Sequence, residues 1–150
     1  MSIEQKLIDD MKLAMKSGKK NELDTIRLLR AQIKMASIEK KDELTEADVI
    51  QVLQKEAKKR RESIEMFRQG NREDLVNKEK SELDIISAYL PEQLSEDEVV
   101  KIIREVVISL QVESEKDIGR VMGEIMPKVK GKADGKLVQQ KVKEYLSNLK

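Results

Sequence analysis

Residues Tyr89 to Ser95 read YLPEQLS, and this short stretch decides how the chain is divided. Pro91 has no backbone N–H and disfavours the α region at Leu90, so a helix arriving from the N-terminal side must end there. Ser95 stands three residues before Glu98, the spacing of a capping box, so a new helix opens directly after it. The connection lacks the glycine and serine richness of a flexible tether. We therefore place a boundary here, with one domain over residues 1–91 and another over 92–150.

Outward from this junction the chain is patterned as helix in both directions. On the N-terminal side apolar residues recur at helical spacing: Leu7, Met11, Ala14 and Met15; Ile26, Leu29, Ile33 and Ala36; Ile50, Leu53, Ala57, Ile64 and Phe67; Leu75, Leu83, Ile86 and Leu90. Beyond Ser95 the stripes are Val99, Ile102, Val106 and Leu110, then Ile118, Val121, Met122 and Ile125, then Leu137 or Val138, Val142, Tyr145, Leu146 and Leu149. Each is one apolar face with charge on the others, the pattern of a helix laid on a core. Candidate N-caps followed three residues later by an acid or amide are Ser2, Asn21, Thr45, Asn71, Ser95 and Ser114, and Gly18 and Gly70 are candidate left-handed stops. The fold expected is all-α: about four helices in the N-terminal domain and three in a smaller C-terminal one.

Composition supports this and removes much chemistry. The 150 residues include no Cys, His or Trp, two Tyr and one Phe. The core must therefore be aliphatic, which suits packed helices better than an aromatic-rich sandwich. The seven methionines read as adaptable core filler. Disulfides, thiolate and imidazole catalysis and His/Cys metal sites are excluded. No catalytic residue, cofactor or metal ligand is expected. The charged, amphipathic N-terminus and the lack of a long apolar run lead us to expect a cytoplasmic protein without a membrane partner.

Net charge is only +1, from 30 basic and 29 acidic side chains, but it is unevenly laid out. Residues 91–125 carry four basic and nine acidic groups, and residues 126–150 carry seven basic and two acidic. The basic excess gathers after Pro127, where a sixth helix is expected to give way to a loop from Lys128 to Lys136. Lys128, Lys130, Lys132 and Lys136 supply charge there, and Gly131 and Gly135 let backbone N–H groups turn toward an anion, an arrangement suited to phosphate. Its other reading is a solvated turn. A Walker A loop is excluded, because three residues separate the glycines and Leu137 follows the lysine. Gly119 and Gly123 share one helix face, where close approach of another backbone would offset their helix cost of about 1 kcal/mol each. A secondary basic cluster, Lys55, Lys58, Lys59, Arg60 and Arg61, reads either as a phosphate-binding ridge or as a charged outer face with i,i+4 pairs.

The strings DIGRVMGEIMPKVKGKADG (Asp117 to Gly135), YLPEQLS, LDTIRLLRAQIK (Leu23 to Lys34) and KEAKKRRESIEMF (Lys55 to Phe67) closely resemble the YqeY family, also called GatB/YqeY-domain proteins. The resemblance extends over the whole chain. It implies an all-α fold in two parts, similar to the tail module of the tRNA-dependent amidotransferase B subunit, and a noncatalytic role in contacting tRNA or other structured RNA. The partner implied beside the RNA is an aminoacyl-tRNA synthetase or amidotransferase. Two alternatives stand beside this reading: a carbon–nitrogen ligase activity with glutamine as amide donor, or an accessory role in it, and a protein-interaction adaptor. With no Trp and one Phe to stack on bases, RNA would be met by shape and backbone.

Overall fold

A computed structural model describes residues 1–149, and it is helical throughout: α1 (Ile3–Ser17), α2 (Lys20–Lys40), α3 (Glu46–Gln69), α4 (Glu73–Ser87), α5 (Glu96–Leu110), α6 (Ile118–Val129) and α7 (Gly135–Ser147), with one 3₁₀ turn at Glu115–Asp117 before α6. No strand occurs among the described residues. None of the helices is long and apolar enough to cross a membrane. Contacts gather the chain into two compact units, Met1–Pro91 and the segment that begins at Glu92.

Several helix ends follow from the residues placed there. Ser2, Thr45 and Ser95 sit in extended backbone, and each hydroxyl accepts from the N–H three residues on. At Thr45 the box is complete, since Asp48 also accepts from the Thr45 N–H. Each such cap satisfies a donor that the helix leaves orphaned. Two expected caps are not used. Asn21 lies inside α2 and gives its amide to Ser81 Oγ at 2.8 Å, while α2 starts at Lys20 without a side-chain cap. Asn71 instead takes the left-handed position after α3, with φ 57°, and Gly70 before it has φ −84°. Gly18 does take the left-handed stop, at φ 67°. Ser114 caps the 3₁₀ turn rather than α6 itself.

In the N-terminal unit α1 lies along α2 and α3 along α4. Their inward faces bury Leu7, Ile26, Leu29, Leu53 and Ile86 completely, together with Val49, Ala57 and Tyr89. At roughly 1.5–3 kcal/mol for each fully buried large aliphatic side chain, this cluster is the main driving force of the unit. In the C-terminal unit α5, α6 and α7 pack on one another around a valine-rich core of Val99, Ile103, Val121, Ile125, Val138 and Val142. Leu90 packs on the first core and Leu94 on the second. The expectation of core filler holds for three methionines and fails for four: Met11, Met122 and Met126 are half-buried and pack against the two cores, whereas Met1, Met15, Met35 and Met66 are exposed.

Candidate nucleic-acid interface

The lysine segment is shorter and stiffer than a nine-residue loop. Helix α6 runs through Pro127 to Val129, whose side chain is fully buried, and α7 opens at Gly135 under a cap from Asp134, which accepts from the Lys136 N–H at 3.2 Å. Lys128 therefore belongs to the last turn of α6 and Lys136 to the first turn of α7. Only residues 130–134 form the turn. Pro127 is tolerated because it lies in the last turn, where burial of Val129 holds the backbone and only one internal bond is lost.

Backbone bonds fix that turn. The Val129 carbonyl accepts from the N–H groups of Lys132 at 2.8 Å and Ala133 at 3.1 Å. The Lys132 carbonyl accepts from the Leu94 N–H at 2.8 Å, and the Gly131 carbonyl from Gln93 Nε2 at 2.9 Å. Gly131 has φ 78°, a conformation that an L side chain strains to adopt. Thus the turn is tied to the segment that enters α5, and four exposed lysines, Lys128, Lys130, Lys132 and Lys136, project from a preset backbone. None is within ion-pair distance of a described carboxylate, in contrast to Lys141, which reaches Glu96 at 3.4 Å and Glu144 at 3.8 Å. Unpaired ammonium groups on a fixed turn can exchange counterions for phosphates at little ordering cost.

The glycines divide into three kinds. Gly131 needs its left-handed backbone. Gly135 is the first residue of α7, and a Cβ there would meet Met126 Cε at an ordinary 3.8 Å, so close approach does not require it. Gly119 and Gly123 are exposed, and a Cβ at either would meet nothing within 4 Å. At about 100° per residue they face away from Lys128 by roughly 140–180° round α6. One flat partner therefore cannot cover both features, and the lysine turn stands as a surface separate from the glycine face.

The secondary basic cluster comes apart. Helical periodicity keeps Lys55, Lys58 and Lys59 on one face of α3, within about 100°, but turns Arg60 and Arg61 away from Lys55 by roughly 140° and 120°. Arg60 points inward: it is 9 % exposed, donates to Glu56 Oε2 and Glu82 Oε2 at 3.0 Å each, and lies 3.7 Å from Glu79. Its partner Glu56 is 4 % exposed and also takes Lys59 at 3.3 Å. Of the two readings of this cluster, the i,i+4 pairing is present between Glu56 and Arg60, but Arg60 faces inward, where it joins α3 to α4 and is not part of a phosphate ridge. Lys55, Lys59 and Arg61 remain exposed, Arg61 on a different side of the helix from the two lysines.

Sequence reading missed a different basic row. Arg27, Arg30 and Lys34 follow one another at i, i+3 and i+7 on α2 and line a groove of about 640 Å³ with residues of α1 and the α2–α3 connection. The signal was present: each of the three directly follows a buried position, Ile26, Leu29 or Ile33, so the row runs about 100° round the helix from the buried stripe, along its flank.

Comparison with known proteins bears on the whole chain. The family described as Yqey-like protein matches residues 4–146. A Pyrenophora tritici-repentis protein named "Altered inheritance of mitochondria protein 41, mitochondrial" is 37% identical over 140 residues, which is 91% of this chain and 77% of that protein. An uncharacterised protein of Schizosaccharomyces pombe is 38% identical over 93 residues, 62% of this chain and 72% of its own length. A second protein of the first name, from Eremothecium gossypii, is 38% identical over 85 residues, covering 56% of this chain and 46% of its own length.

Proposed function

This chain belongs to the Yqey-like protein family, and on that footing we propose that it is a noncatalytic module that binds folded RNA, tRNA in the first place, through the lysine turn between α6 and α7. The observation that carries the reading is the set of four exposed, unpaired lysines at 128, 130, 132 and 136 on a turn whose backbone is held by Leu94 and Gln93. Phosphates of a folded RNA are the partner such a surface suits, since point charges on a fixed scaffold position a backbone without reading bases. The aromatic residues favour the same mode: Tyr89 is buried and Phe67 and Tyr145 are half-buried, which provides no platform for splayed bases. Gly119 and Gly123 belong to the proposal as an open helix face on the far side of α6 from the lysines, for another part of a folded RNA that wraps the helix or for an amidotransferase or synthetase partner. A cytoplasmic setting is part of it as well, and cell fractionation tests that.

The decisive experiment is a gel shift on total tRNA across a salt series. A shift at low salt that weakens steeply as salt rises is expected, with loss of binding when the four lysines are changed together to Glu. Retention of full affinity in that variant would move the site elsewhere, and absence of any shift at low salt would overturn the function.

A further inference from the structure

We infer that the groove between α1, α2 and the α2–α3 connection is a second binding site, for a nucleotide: a phosphoryl group held by Arg27, Arg30 and Lys34, with the remainder of the molecule lying on the apolar floor. The inference does not rest on the lysine turn, which lies in the other unit.

Three features of the groove point to that chemistry. First, its cations are unspent. Arg60, Arg68, Arg72 and Arg120 each stand within 4.0 Å of a carboxylate. Among the described residues, Arg27, Arg30 and Lys34 have no such partner. Arg30 Nη1 instead donates to the thioether of Met11 at 3.3 Å, a weak acceptor that an anion would readily replace. Successive positions of the row are about 4.5 Å and 6 Å apart along the helix axis, close enough for a single phosphoryl group to engage two of them.

Second, the walls are mixed in the proportions a nucleotide asks for. Ile8 and Leu44 offer apolar surface beside the cations, while the carboxylates of Glu4 and Glu43 stand on the same groove. Carboxylates oppose a bare polyanion but accept hydrogen bonds from hydroxyl groups, so a ligand with one phosphoryl group and a sugar suits the lining better than an extended run of phosphates. The apolar floor accommodates a planar base and, by displacing water, strengthens the charge pairing. At about 640 Å³ the groove falls within the size range of small-molecule sites.

Third, the groove is preformed. The connection that carries Glu43 and Leu44 is tied down by Ser37 Oγ donating to the Asp42 carbonyl at 3.1 Å, by the Glu43 N–H donating to Asp42 Oδ1 at 2.8 Å, and by Lys41 in the left-handed conformation closing α2. Leu44 packs against the N-terminal core. Little ordering remains to oppose binding.

One nucleotide chemistry has two sources here, a free mononucleotide and the phosphorylated end of an RNA strand. Isothermal titration of the full chain with AMP, a short 5′-phosphorylated oligoribonucleotide, adenosine and inorganic phosphate separates them. We expect saturable binding of AMP at low-millimolar concentration or tighter, weakened about tenfold or more in the Arg27→Gln/Arg30→Gln double variant and unchanged when the four lysines of the α6–α7 turn are replaced by Glu. Binding of the oligoribonucleotide without AMP, with the same sensitivity, assigns the site to RNA ends. Circular dichroism confirms that the variant, altered only at exposed positions, is folded. The site is overturned if neither nucleotide binds, if the double variant binds equally well, or if inorganic phosphate binds as tightly as AMP.

Discussion

Arg60 Nη1 lies 3.0 Å from Glu56 Oε2 one turn back on α3, and both side chains are buried. A buried pair earns its place only when every charge is answered, and here the guanidinium also reaches Glu82 on α4. Arg60→Ala leaves the buried Glu56 with only the exposed Lys59, 3.3 Å away, to answer it, and is expected to lower stability by up to about 3–5 kcal/mol. Replacing both residues by Leu removes the stranded charge and costs far less. Urea unfolding of the single and double variants, followed by circular dichroism, measures the difference.

Glu79 belongs to the edge of the same network, and its titration runs opposite to that of most paired carboxylates. Burial, with the charge of Glu82 added, raises its carboxyl above the ordinary value of 4.5 despite Arg60 at 3.7 Å. The folded chain then holds this proton more tightly than the unfolded chain does. Stability contributed by this group is therefore lost as pH rises from 4.5 through the raised value. Glu79→Gln is expected to remove that decline and to match or exceed the native stability at pH 7, since Glu56 and Glu82 still answer Arg60. Melting temperatures of the two proteins from pH 4 to pH 7 provide the comparison.

Tyr89, at the end of the N-terminal unit, donates its hydroxyl to Asp10 Oδ2 at 2.5 Å and lies under Lys6, whose Nζ is 5.4 Å from the ring centre. Burial first, and then the bond to Asp10, push the phenol well above its usual value of 10.0. Ionising it requires breaking that bond, so the native protein loses stability as pH rises above 10, where the unfolded tyrosine has already begun to ionise. Tyr89→Phe is expected to cost about 1–2 kcal/mol near neutrality and to show a flatter stability profile between pH 9 and pH 11. An identical alkaline decline in the variant would refute the assignment.

Which of these features the sequence could disclose depends on how far apart their parts lie. Ser2, Thr45 and Ser95 could be read because a cap and its N–H are three residues apart, and the apolar stripes because a helix repeats within a turn. Asn21 misled because its amide is claimed by Ser81, sixty residues on. Arg60 resembled the charged residues around it, and only α4 folding against α3 turns it inward to Glu79 and Glu82. The lysines at 128–136 were legible as a basic segment, whereas the length of the turn was not, because Val129 extends α6 past a proline that locally argues for its end. The Arg27, Arg30 and Lys34 row was visible as spacing. Its groove exists only once α1 and the Glu43–Leu44 connection are in place.

The capping box at Thr45 is reinforced from the preceding helix by Lys40, whose Nζ is 2.6 Å from Asp48 Oδ2. The hydrogen bond from Lys40, followed by that from the Thr45 N–H, holds the Asp48 carboxyl down to about 2, against an ordinary 3.8. A depressed acid stabilises the fold above its unfolded value and ceases to do so as pH falls through the folded one, so this contribution is complete above pH 3.8 and disappears toward pH 2. Asp48→Asn is expected to lose stability at pH 6 and to flatten the acid limb between 4 and 2. Thr45→Ala should cost about 1 kcal/mol. Acid titrations monitored by circular dichroism test both.

Three glycines of the C-terminal unit, Gly119, Gly123 and Gly131, make opposite predictions, and together they separate architecture from binding. Gly131 is left-handed, so Gly131→Ala forces a side chain into that region at a cost of about 1–2 kcal/mol and loosens the turn that Gln93 and Leu94 hold. Gly119 and Gly123 lie in helical backbone with open space where a Cβ would go, so alanine at each should stabilise α6 by roughly 0.5–1 kcal/mol. Gly123 lies in the interior of α6 and Gly119 in its first turn, with no neighbour requiring either, and on the proposed reading it is a contact with something outside the unit that keeps them. If that contact is the RNA or its protein partner, Gly119→Ala/Gly123→Ala will melt at a higher temperature and bind less well. If the double variant is both more stable and fully competent in the tRNA gel shift and in partner pull-down, the glycine face has no part in binding, and the lysine turn alone carries the proposed function.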